Sequence, residues 1–344
     1  MNNGLVVILF IILALLGAYS IYQPFLLAIS VAILLTMATY NMTEKLNIYF
    51  KSRRLVALLI TALMTLLIFA PLAYIATVGV SFASTIDANT ISNIIASIEI
   101  QVKKFPQAHN WFIQNISNEK IASFVQSYSS YLASLGKVGL AFLTNFFFVL
   151  IFYYFLNYYG DRVFAILSSL VPLSKVKSAK IVHEISSTME IVFYSTIVTA
   201  IFEGFLFGVF VSFFGFDGLL FGIIYGLASL IPVVGGVIVW APISLYLWSN
   251  GDTHGAIVVA IYSIVAIAII ADTFIKPYII KIIKRDFLHS TVEINELVIF
   301  FAIFAGMSSY GFWGIIIGPA ITALFIGVAK VYLDYNCEHK ASCP

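Results

Sequence analysis

The sequence predicts an all-α integral membrane protein with about eight transmembrane helices, one or two of them broken or hairpin-like, and an extracytoplasmic helical segment. Three observations carry this. The 344-residue chain is 61% hydrophobic and only 10% charged, against about 25% charged in soluble domains. Several uncharged runs reach the roughly 20 apolar residues that a crossing needs. Residues 191–275 contain no Lys or Arg, yet Ile231-Pro232-Val233-Val234-Gly235-Gly236 interrupts them. A Pro-Gly break frees backbone groups that hydrocarbon cannot satisfy, so it must be buried in protein or line a wet cavity.

The elements follow in order. No charged side chain precedes Glu44, which leaves room for two crossings, 4–22 and 24–40, parted at Gln23-Pro24. The first lacks a basic n-region and a second apolar run follows at once, so it reads as a retained crossing and not a signal peptide. Residues 55–86 hold a third crossing and 138–160 a fourth. The 191–275 block divides at Gly215-Phe216-Asp217-Gly218, at Pro232/Gly236 and at Asn250-Gly251-Asp252. This gives a crossing over 191–214, short pieces over 218–231 and 235–249, and a crossing over 255–275. Residues 297–329 divide at Gly306-Met307-Ser308-Ser309-Tyr310-Gly311.

The chain therefore parses into N-terminal crossings (1–82), an extracytoplasmic amphipathic segment (83–135), a crossing (136–160), a cytoplasmic loop with an interfacial helix (161–190), a transport core (191–333) and a polar tail (334–344). Within 83–135, Ile91, Ile94, Ile95, Ile98, Val102 and Phe105 recur at helical spacing, as do later apolar residues from Ile121 to Leu135. A hairpin packing on itself is the ordinary reading; an oligomer contact or a cap over a pore is the sharper one. Over 178–192, Ile181, Val182, Ile185 and Met189 oppose Lys180, His183, Glu184 and Glu190, the pattern of an interfacial helix.

Basic residues set the orientation. Lys45, Lys51, Arg53 and Arg54 follow the second crossing, Arg162, Lys175, Lys177 and Lys180 the fourth, and Lys276, Lys281, Lys284 and Arg285 the 255–275 run. Twelve of the 18 basic residues thus fall in three loops, and one topology puts all three inside. The N-terminus is then cytoplasmic, and the expected location is a cytoplasmic (inner) membrane.

Composition excludes several functions. A net charge of +2 implies no nucleic acid. No Walker-type or dinucleotide glycine loop is present, so transport would run on a gradient or passively. No cofactor or metal site is expected: Cys337, His339 and Cys343 lie in a frayed polar tail. Nor is catalysis, because the five histidines fall outside or at the edge of the apolar spans and leave no base.

Two carboxylates stand at membrane depth, where each costs roughly 2.5–3.5 kcal/mol and is a functional suspect. Glu203 lies mid-span and cannot snorkel; it either binds a proton, cation or hydroxyl-rich solute, or is a structural carboxylate. Asp272 precedes Lys276 by four residues, so a local i,i+4 ion pair competes with a transport role. Pro232, Gly235 and Gly236 are expected to turn a hairpin or half-helix pair, with Pro277 and the Gly306, Gly311, Gly318 and Pro319 run as further breaks. Residues 218–236 and 311–327 share a loose glycine pattern. An internally repeated transporter would show this, and so would glycine-spaced helix packing. Asp217 and Asp252, beside glycines at span ends, read as turn residues.

Thr199-Ala200-Ile201-Phe202-Glu203-Gly204, Gly222 to Gly226, Ser229 to Gly236 and Trp240-Ala241-Pro242 together resemble the autoinducer-2 exporter (AI-2E) family of permeases. Asp272-Thr273-Phe274-Ile275-Lys276-Pro277 looks like that family's acidic-to-proline signature, and Phe312-Trp313-Gly314 with Gly318-Pro319-Ala320 its last one. The match covers roughly residues 190–325. It departs at Glu203, where members often have Gln, and at Thr273, where they often have Asn. The resemblance implies membrane transport, with export of the quorum signal autoinducer-2 in some members and sodium or lithium/proton exchange in others, and a homo-oligomer. The expected partners are membrane lipid and a small polar solute or a monovalent cation with a proton. A non-transporting membrane scaffold is the alternative of another class.

Overall fold

The computed structural model describes residues 3–79, 96–97, 99–100, 102–103, 142–163, 165–166, 175–231, 234–283, 285 and 296–339. The expected outer segment over 83–135 lies almost entirely outside the described residues, as do Pro232, the side chain of Asp272 and the cysteines' side chains.

Six helical stretches are long and apolar enough to cross a membrane, and two shorter apolar helices accompany them. Helix α1 (Asn3–Tyr22) joins α2 (Leu26–Ala38) through one 3-10 turn over Gln23–Phe25 that carries Pro24. The two expected crossings are thus contiguous, and Ile12–Ala38 meets the criteria for a crossing as one stretch. At Thr39, φ is −116° and ψ 11°, so the helix breaks and restarts as α3 (Tyr40–Tyr49). Helix α4 (Arg53–Tyr74) contains Pro71, and its end widens over Ile75–Gly79 into i→i+5 turns. Helix α5 spans Phe142–Val163.

Helix α6 (Lys175–Ser212) has 38 residues. It spans about 57 Å at about 1.5 Å per residue. It corrects one expectation. Residues 178–192 are the first part of this long helix, and Glu190, expected on a solvated polar face, is only 1% exposed. Tertiary packing overrides the local amphipathic pattern here, because α2 and α12 cover this end of α6.

Helix α7 (Gly218–Ala228) doubles back along α6, and α8 (Gly235–Ser249) follows. Helix α9 (Thr253–Tyr262) widens into i→i+5 turns over Ser263–Ile275 and continues as α10 (Lys276–Ile282). Helix α11 (Glu296–Tyr310) and α12 (Gly314–His339) complete the described chain. Asp217 and Asp252 are exposed turn residues that cap α7 and α9: each carboxylate accepts a backbone N–H, from Leu220 at 3.0 Å and Gly255 at 2.8 Å.

Glycines set the closest contacts. A Cβ added at Gly204 would stand 2.5 Å from the Gly222 carbonyl oxygen, and one at Gly226 would stand 2.6 Å from that of Ala200. Gly208 meets Gly218 as closely. As one number rises the other falls, so α6 and α7 form an antiparallel hairpin with touching backbones. Gly306 meets Gly314 and Gly318, and Gly318 meets Ala302, which makes α11 and α12 a second such hairpin. The apolar stretch Leu297–Ala329 therefore folds back on itself at Gly311, whose φ of 59° suits glycine. Small residues at four-residue spacing let helix backbones approach this closely.

Two interiors result. One joins α2, α4, α5 and α12 around Val31, Leu35, Ile60, Tyr153 and Trp313. The other joins α6 through α9 around Phe207, Tyr225, Ile243 and Val259. Gly222→Val and Gly306→Val should each lower the melting temperature of the purified protein, since overpacking costs about 1–3 kcal/mol. Gly17→Val, with nothing within 4 Å of its added Cβ, should not. Equal melting of all three variants would refute the hairpin packing.

Candidate functional site

Helices α7 and α8 are too short to cross. Their 11 and 15 residues rise about 16 and 22 Å, against about 30 Å of hydrocarbon. Gly226 lies opposite Ala200, so the turn after Ala228 sits level with the middle of the span Ile185–Ser212. The chain then returns: the Ser244 hydroxyl of α8 donates to the Ala256 carbonyl of α9 at 2.7 Å. The rings of Phe216 and Tyr246 also meet, with centroids 5.7 Å apart, so α8 runs back along α7 and the pair doubles back within two short helices. Gly235 and Gly236 begin its returning arm, the former against the Ala228 carbonyl and the latter against the Tyr225 hydroxyl.

Polar side chains gather beside this tip. Of the ten buried polar or charged residues among the described residues, six lie on α6: Ser187, Thr188, Glu190, Ser195, Thr199 and Glu203. Thr188, Ser195, Thr199 and Glu203 are spaced by seven, four and four residues, which puts them on one helix face. Glu203 is 4% exposed. It sits between the edge of α6 that meets α7 at Gly204 and the edge that meets α9, where the Tyr262 ring stacks on Phe210 with centroids 3.6 Å apart. One turn below it, the buried Thr199 hydroxyl has no hydrogen-bond partner among the described residues, and nor does that of Ser263 on the wide-turn stretch. Leaving such a group unmet costs about 1–3 kcal/mol.

A second cluster lies toward the start of α6. The Glu190 carboxylate accepts the Asn41 backbone N–H at 2.8 Å on Oε1 and the Asn41 side-chain amide at 2.6 Å on Oε2. Asn41 opens α3 just past the break at Thr39, where first-turn N–H groups lack intrahelical partners. Glu190 thus caps α3 from another helix, and a carboxylate suits the positive end of a helix dipole. Around it, the Thr39 hydroxyl meets the Tyr153 hydroxyl at 2.8 Å, and Thr43 Oγ1 lies 3.2 Å from Asn157 Oδ1. Sequence reasoning missed this cluster. The partners are 149 residues apart, and the only hint was a run of small polar residues across the Thr39-Tyr40-Asn41 joint.

The remaining expected residues are dispersed. Lys276 and Pro277 begin α10, which packs on α6, as does the wide-turn stretch that carries Asp272. Helical dihedrals continue through Pro277, and α12 runs unbroken through Pro319. Gly318 serves close packing, as does Gly306, while Gly311 makes the turn.

A re-entrant hairpin beside a buried polar face is transporter architecture, and comparison with known proteins agrees. The family model for AI-2E family transporters matches residues 5–334. The chain belongs to the AI-2E transporter family. Two proteins from Helicobacter pylori, both named for transport, are similar along the whole length. That of strain J99 is 35% identical over 336 residues, covering 95% of each chain. That of strain 26695 is 36% identical over 341 residues, covering 96% of this chain and 97% of its own. A relative from Aquifex aeolicus, also named for transport, is 22% identical over 267 residues, covering 74% of this chain and 71% of its own. The protein is a multi-pass membrane transporter.

A double-mutant cycle tests the Glu190 cap. Glu190→Ala and Asn41→Ala should each destabilise the purified protein, and should couple by about 1–3 kcal/mol, the range for hydrogen bonds to a charged group. Glu190→Gln should rescue in part, because its amide oxygen still accepts the Asn41 N–H and a rotated Asn41 amide can accept from its nitrogen. Additive single effects would rule out the Asn41 side-chain bond, and an unchanged Glu190→Ala would show that no cap exists.

Proposed function

We propose that this AI-2E transporter exports a small polar solute, of the hydroxyl-rich kind that autoinducer-2 represents, without ATP hydrolysis. One observation carries the proposal: the buried polar face of α6, Ser195, Thr199 and Glu203, runs level with the re-entrant tip between α7 and α8. A hydroxylated solute suits the orphaned Thr199 hydroxyl. Alternating access at this face would pass the solute past the tip, the kind of place where membrane transporters bind their cargo. A cytoplasmic membrane, with segments 45–54, 162–180 and 276–285 inside, is supported by the basic residues they carry.

A second reading has its own support. Two buried carboxylates on one membrane helix, Glu190 and Glu203, suit exchange of a monovalent cation for a proton. Asp272 and Lys276, on elements packed against α6, would belong to either path.

Reconstituted vesicles separate the two. Efflux of labelled autoinducer-2 without sodium-dependent proton movement is the expected result, and Glu203→Gln should reduce it about tenfold or more, as loss of a hydrogen bond to a charged group would. Sodium-dependent proton movement without efflux would favour the antiporter. Unchanged transport in Glu203→Gln would remove Glu203 from the mechanism.

A further inference from the structure

A basic, aromatic patch forms where α4 begins and α5 ends. Arg53 pairs with Asp161, so these two ends lie side by side at one edge of the membrane-spanning bundle. Arg54 donates from Nε to the Tyr158 hydroxyl at 3.2 Å, with its guanidinium carbon 5.6 Å from the centre of the Tyr158 ring. Arg162 is held likewise, 5.9 Å over Tyr159. The two rings meet edge to face with centroids 4.4 Å apart, and Tyr154 stacks on Tyr158. Both guanidinium groups are therefore carried by one rigid aromatic surface.

Their donors are mostly unspent. Arg54 uses only Nε among the described residues, which leaves both terminal nitrogens of its fork, and Arg162 makes no hydrogen bond there. Both residues are exposed. A planar guanidinium fork matches the oxygens of a phosphate. With Lys51 and Arg53, four cations stand against two carboxylates, Asp161 and Glu44, a net charge of +2. Orientation alone would require basic residues here, but not arginines laid over tyrosines. Stacking fixes their side chains before a ligand arrives, which lowers the entropy lost on binding. Because one candidate crossing begins at Arg53 and the other ends at Val163, the patch faces the layer where lipid headgroups lie. Basic pockets between membrane helices are recognised sites for anionic headgroups.

We propose that Arg54 and Arg162, held over Tyr158 and Tyr159, form a binding site for the phosphate of an anionic phospholipid headgroup. The occupant is a lipid and not a soluble phosphate, since the site opens at the boundary where a diacyl chain can lie along α4 and α5. Asp161 opposes the ligand and limits its affinity. The proposal rests on the chain's crossing the membrane, and not on what the chain transports.

Native mass spectrometry of the purified full-length protein tests it, with phosphatidylglycerol, phosphatidylcholine and inorganic phosphate as probes. Phosphatidylglycerol should be retained in preference to phosphatidylcholine. The double variant Arg54→Ala/Arg162→Ala should bind it about tenfold or more weakly, as expected for two lost surface cations. Asp161→Asn should bind it more tightly than the parent, and carries the test should the double variant not fold. Equal retention of both lipids, unchanged binding by the double variant, weaker binding by Asp161→Asn, or displacement of the lipid by inorganic phosphate would each overturn the proposal.

Discussion

Inside a bilayer every backbone N–H and C=O must find a partner within the protein, and this constraint organises the molecule. The chain is interrupted where an uninterrupted helix would have satisfied it. Among the described residues, the interruptions at Thr39, Asp217 and Asp252 are each met by a specific device. At Thr39 the break is closed by Glu190, whose carboxylate takes the Asn41 N–H from another helix. At Asp217 and Asp252 the new helices are capped by their own aspartates. Over Ser263–Ile275 the helix widens without letting go of its hydrogen bonds.

The same constraint shapes the site. A re-entrant hairpin can end at mid-depth only if protein surrounds its tip. Touching glycine backbones hold its first arm in place, with α7 pressed on α6 so closely that no side chain separates them at Gly204 and Gly222. The contact leaves the neighbouring faces of α6 to polar residues. Helix α6 thus does two things at different levels: Glu190 fastens the N-terminal helices, and the face from Ser195 to Glu203 stands beside the tip. The second glycine-lined hairpin, α11 with α12, repeats the packing but carries no buried carboxylate among the described residues.

Much of this was legible in the sequence, because its signals are local. Uncharged runs mark the crossings, Gly-Asp pairs mark the turns, and Pro232 with Gly236 marks the short pieces. Glycine spacing allowed either repeated transport elements or tight packing, and the contacts show tight packing in both hairpins. Glu203 was found because nothing polar belongs at mid-span. Glu190 was misread because local periodicity gave it to the polar face of an interfacial helix, while its burial depends on α2, α3 and α12, which are remote in sequence. The i→i+5 stretch before Lys276 has no sequence signature, since its residues are ordinary helix and strand formers.

The central claim is that α7 and α8 enter and leave the membrane on one face. Labelling single cysteines with a membrane-impermeant thiol reagent tests this directly. In a background without Cys337 and Cys343, Asp217→Cys and Asn250→Cys should both react from the same side of sealed, oriented vesicles. Reaction from opposite sides would mean that the pair completes an odd number of crossings, and the re-entrant account would be wrong.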